Sequence, residues 1–91
     1  MSYKGRFMEF HARNCQRATM ELDIEQVGVL FALLHQLSID EELLYNNCCT
    51  LVKITPEKFD EIWRSISQFF VLYDGVVTYE GDYGLVRFIH E

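Results

Sequence analysis

The chain has 91 residues, 49% hydrophobic and 14% aromatic, with three cysteines and a formal net charge of −6. That length makes one domain with a modest core, and that apolar content argues against disorder. No apolar run reaches the roughly 20 residues that span a bilayer. The longest, residues 27–34, is interrupted by Gly28 and ended by His35. The start, MSYKGRF, lacks the basic-then-apolar pattern of a signal peptide, so a cytoplasmic protein with no membrane partner is expected. Cys15, Cys48 and Cys49 are odd in number and two are adjacent, which argues for reduced thiols rather than a disulfide framework.

Residues 3–10 (YKGRFMEF) carry aromatic or apolar side chains at 3, 7, 8 and 10 and predict a short strand entering the core. Residues 11–19 are polar without a clean period and read as a loop or a turn of helix. Together residues 1–20 form a basic arm, with Lys4, Arg6, Arg13 and Arg17 against Glu9 alone, for +3. The rest of the chain holds thirteen acids and four bases, for −9.

A first helix is predicted over 23–37. Asp23 with Gln26 makes a capping box, and Val27, Leu30, Phe31, Leu34 and Leu37 form a stripe that Val29 and Leu33 widen. A helix apolar around most of its circumference belongs at the centre of a domain. Gly28 within it costs about 1 kcal/mol against Ala and is expected to permit a close approach by a neighbouring element. The pattern breaks at residues 38–40. Asp40 then reads as the N-cap of a second helix over 40–52, with Glu41 and Glu42 at its positive end and Leu44, Cys48, Leu51 and Val52 inward.

The third helix, 55–69, has Thr55 as cap and Pro56 at the first position, where its missing N–H is harmless. Phe59, Ile62, Trp63, Ile66, Phe69 and Phe70 recur at three- and four-residue steps and mark its inward face. Asp74-Gly75 between two apolar triplets is a favoured hairpin turn, giving a wing over 70–80. A further turn at 81–84 leads to 85–90, a closing strand or short terminal helix. The whole chain, 1–91, therefore reads as a single mainly α domain with a small antiparallel hairpin, in the order of a winged helix-turn-helix.

Residues 7–79 resemble the winged-helix domain at the N-terminus of YdaU-type phage and prophage replication proteins, whose layout is DnaD-like. The resemblance is carried by Leu22, Asp23, Glu25 and Gly28, by Leu33-Leu34, and by the short helix at 44–51. The hydroxyl-led helix at 55–67, Phe69-Phe70 and Asp74-Gly75 complete it. The family's Pro-Gly-Asp-Trp-like opening is replaced here by Glu9-Phe10-His11-Ala12-Arg13, and its members commonly continue into a C-terminal region. The resemblance implies a phage or prophage setting in replication or host takeover.

In a winged helix the third helix enters the major groove, and phosphate contacts there need Lys or Arg. The polar face of 55–70 instead offers Glu57, Asp60 and Glu61 against Lys58 and Arg64, and the hairpin adds Asp74 and Glu80. Glu57, Asp60, Glu61, Arg64, Asp74 and Glu80 are therefore the candidate partner-binding residues of an adaptor or inhibitor of a host or phage protein. With Glu41, Glu42 and Asp82 this surface could imitate a phosphate backbone; the plainer reading is a solvated surface. The alternative is a DNA-binding replication or regulatory module gripping phosphates through Lys4, Arg6, Arg13 and Arg17, as a homodimer.

No phosphate loop, zinc-protease or nucleophile-elbow motif is present, so neither an enzyme nor a cofactor is expected. His11 and Cys15 are four apart, but Cys48 and Cys49 would face different sides of a helix. No metal site is expected.

Overall fold

The computed structural model describes residues 6–81 and 84–90, and the side chains of all of these except 6, 7, 89 and 90. Along the chain come β1 (Arg6–Phe10), α1 (Ala12–Thr19), α2 (Ile24–Asp40), β2 (Leu43–Leu44), α3 (Tyr45–Leu51) and α4 (Pro56–Ile66). A 3₁₀ turn (Ser67–Phe69), β3 (Val71–Tyr73), β4 (Val76–Thr78) and β5 (Val86–His90) follow. The result is an α+β fold. One two-stranded antiparallel sheet pairs β1 with β5, and a three-stranded antiparallel sheet has the order β2-β4-β3.

The predicted caps form. The Asp23 carboxylate accepts from the Gln26 N–H at 2.8 Å while the Gln26 side chain accepts from the Asp23 N–H at 3.0 Å. Thr55 accepts from the Lys58 N–H at 3.2 Å, with Pro56 in the first turn. Asp74 (φ 52°) and Gly75 (φ 76°) both lie in the left-handed region that a two-residue hairpin of this kind requires.

α2 is the centre of the core. Leu30, Leu33, Leu34 and Leu37 are fully buried against Phe59, Ile62 and Ile66 of α4, with Phe69, Phe70, Val77, Leu85 and Val86 closing the cluster. Each fully buried apolar side chain contributes about 1.5–3 kcal/mol, as an upper bound. A column of rings crosses the core. Trp63 stacks on Phe59 and Phe70 with centroids 6.0 and 5.7 Å apart, and Tyr79 meets Phe70 and Phe88 edge-on at 6.3 and 5.7 Å. The Tyr79 hydroxyl accepts from the N–H groups of Leu85 and Val86 at 3.0 and 3.3 Å. It thereby ties the end of the hairpin to the start of β5.

Several local expectations are corrected. Residues 12–19 form a helix, capped by the His11 Nδ1, which accepts from the Asn14 N–H. Its apolar content is too low for a period to stand out, and Cys15, Ala18 and Thr19 are only half-buried. The first helix runs three residues past 37, so Asp40 closes α2 rather than capping a second helix, and Glu41 (φ 67°) is its C-cap. Glu41 and Glu42 consequently sit at a helix end whose dipole disfavours acids.

The predicted 40–52 helix starts at Tyr45, because residues 43–44 pair with β4 instead. Strand alternation puts Leu43 opposite the buried Val77 and sends Leu44 to the other face, where it is 55% exposed. Leu51 is also exposed. Nothing packs within 4 Å of where a Gly28 side chain would begin, so that glycine permits no close approach. α4 ends at Ile66, and Ser67–Phe69 tighten into the 3₁₀ turn.

The turn between α3 and α4 closes on backbone bonds alone: Lys53 N–H to Thr50 C=O at 3.2 Å and Ile54 N–H to Cys49 C=O at 3.0 Å. This is the Schellman pattern, with Lys53 (φ 63°) at the left-handed position usually given to glycine.

Candidate functional site

The exposed face of α4 is assembled by the inward pull of Phe59, Ile62 and Ile66, which leaves Glu57, Asp60, Glu61 and Arg64 outside, with Gln68 of the following 3₁₀ turn beyond them. Lys58 leans from this face toward α2. Its Nζ lies 2.9 Å from the Glu25 carboxylate of α2, and that partner raises its pKa above the usual lysine value. The solvent face of α4 therefore carries three acids and Arg64, with Lys58 shared between Glu25 of α2 and Glu61.

Tyr45, which the sequence did not single out, joins this face to the hairpin. Its hydroxyl donates to the Asp60 carboxylate at 2.6 Å, and its N–H donates to the Gly75 carbonyl at 2.8 Å. Its ring meets Phe59 and Trp63 edge-on, at 5.3 and 5.4 Å. Burial, then the Asp60 bond and charge, push the phenol up to about 12. Asp74 sits at the hairpin tip, next to the Gly75 whose carbonyl Tyr45 binds. Glu80 falls elsewhere, in a groove it lines with Glu9, His11 and Arg87. Arg87 of that groove is 2.8 Å from the Glu9 carboxylate.

Of the basic arm, Lys4 and the Arg6 side chain lie outside the described residues, and so does Asp82 of the acidic set. Arg13 and Arg17 are exposed on α1, one helical turn apart. Arg17 and Arg64 line one groove of about 700 Å³, together with Asn14, Glu21, Ser65 and Gln68. The fold thus brings together one residue from each of the two candidate sets.

His11 and Cys15 are spent on structure. His11 caps α1, and the Cys15 thiol donates to the Leu85 carbonyl at 3.1 Å. Burial raises the pKa of Cys15 and, helped by neighbouring Cys49, pushes Cys48 up to about 11. Both are protonated thiols at neutral pH, and the thiolate is the reactive form. Among the described residues no three His, Cys, Asp or Glu side chains are placed to hold a metal ion, and no helix is long and apolar enough to cross a membrane. Comparison of the chain with family models, with curated proteins and with solved structures finds no match.

Proposed function

We propose that this protein is a winged-helix module that binds a protein partner through the acidic face of α4 and the hairpin tip. The order α2-β2-α3-α4-β3-β4 with strand order β2-β4-β3 supports the winged-helix reading. The observation that carries the function is the charge of the helix that would lie in a DNA groove. Glu57, Asp60 and Glu61 face solvent there, Lys58 leans toward Glu25 of α2, and Asp60 is anchored by Tyr45. Each carboxylate near a phosphate opposes binding, whereas the same face suits a basic protein surface. The resemblance to YdaU-type domains supplies the setting: an adaptor or inhibitor acting on host or phage proteins in replication or counter-defence.

A second reading, a DNA-binding replication or regulatory module, is favoured by the groove that Arg17 shares with Arg64. An electrophoretic mobility shift at low salt separates the two. The expected result is no retardation of duplex or single-stranded DNA at micromolar protein. Retardation that disappears in the Arg13→Glu, Arg17→Glu variant would replace the first reading with the second.

A further inference from the structure

A different surface carries a more specific partner. Leu44 and Leu51, at the two ends of α3, are 55% and 37% exposed and line one groove of about 470 Å³ with the buried Cys48 between them. Leu44 is the extended residue that precedes α3 and Leu51 is the last residue of α3, and the two face the same groove. The apolar strip continues over the three-stranded sheet, because Leu44 pairs with Val76 and Val76 with Tyr73, and register partners share a face. Tyr73 is 81% exposed. The rim at the end of α2 is acidic. Asp40 and Glu42 both line the groove, no Lys or Arg does, and Glu42 has no ion-pair partner among the described residues.

We infer that this groove docks an amphipathic peptide segment of a partner protein, with a Leu-, Ile- or Phe-type anchor seated between Leu44 and Leu51 and flanking Lys or Arg on Asp40 and Glu42. An apolar anchor in a small pocket with charged residues at its edge is the ordinary anatomy of helix-in-groove recognition. Complementary rim charge excludes acidic segments of the same apolar pattern. The partner class rests on the protein-binding reading, but the surface shares no residue with the α4 face, so the two stand or fall separately.

The test is fluorescence anisotropy with two labelled probes: a helical Leu/Lys peptide, and its twin with Glu at every Lys. The Leu/Lys peptide is expected to bind at micromolar concentration, and the twin about tenfold or more weakly. Leu44→Gln with Leu51→Gln is expected to weaken the Leu/Lys peptide by about tenfold or more, and Asp40→Asn with Glu42→Gln to weaken it also. Both leucines are exposed, so the variant should fold, and amide chemical-shift mapping on the unaltered protein gives an independent readout centred on β2 and α3. Equal binding of the twin, or undiminished binding by the leucine variant, would overturn the inference. Self-association abolished by Leu44→Gln would make a second copy the occupant, and also overturn it. If Glu57→Gln with Glu61→Gln abolished peptide binding while the leucine variant did not, the partner would seat on α4: the groove would fall and the protein-binding reading would stand.

Discussion

Replacing Tyr79 by Phe removes a single oxygen and leaves the ring packing between Phe70 and Phe88 in place. The lost atom accepts from two backbone N–H groups, at 3.0 Å from Leu85 and 3.3 Å from Val86, and both residues are buried. Leaving a buried donor without an acceptor costs about 1–3 kcal/mol. The longer bond contributes less than the shorter, so the change should cost about 2 kcal/mol in all. A domain of this length has a total stability on the order of 5–14 kcal/mol, so the loss is a substantial share, and the melting temperature should fall by about 8–16 °C. Urea denaturation followed by fluorescence of Trp63, the one tryptophan in the chain, is the natural assay, since its ring sits in the same aromatic column. The midpoint should drop with the slope unchanged. A Tyr79→Phe variant within about 0.5 kcal/mol of the parent would refute the assignment of the Tyr79 oxygen as the tie between the hairpin and β5.

Three further outcomes follow from the same structure. Gly28→Ala should stabilise the protein by about 0.5–1 kcal/mol in urea denaturation, because the new methyl group meets nothing within 4 Å and the helix gains propensity; destabilisation would mean that a neighbour does approach there. Lys53→Gly should be stabilising by up to about 1 kcal/mol, since it relieves the left-handed conformation at φ 63° without breaking either backbone bond of the turn. Tyr45, raised to about 12 in the folded protein, contributes stability that is fully present below the ordinary phenol value of about 10 and is lost as pH rises through 12. Phenolate absorbance should show a late-titrating component from Tyr45, and Asp60→Asn should move that titration earlier by removing the bonded charge.

Where the sequence was legible, the signal was local. Asp23 and Gln26, Thr55 and Pro56, and Asp74-Gly75 act within four residues of themselves, so their caps and turn could be read directly. The stripe of α4 was readable for a similar reason: one face of an isolated helix is enough to show the period. α1 was not, because its polar sequence is held by a His11 cap and by bonds from Asn14 and Cys15 to Gly84 and Leu85, just before β5 and some seventy residues away.

The acidic balance of the α4 face followed from the spacing of its residues, since the apolar stripe of Phe59, Ile62 and Ile66 turns Glu57, Asp60 and Glu61 outward. Its details did not: that Lys58 leans toward Glu25, and that Tyr45 anchors Asp60, depend on elements the sequence places far apart. The same holds for Leu44. Its hydrophobicity argued for the core, but the pairing of β2 with β4 set the register, and a strand must send every second side chain to the opposite face. Hydrophobic periodicity determined that α2 and α4 exist and which way they face. Long-range hydrogen bonding decided which apolar and charged groups remain on the surface, because that choice depends on partners no local pattern records.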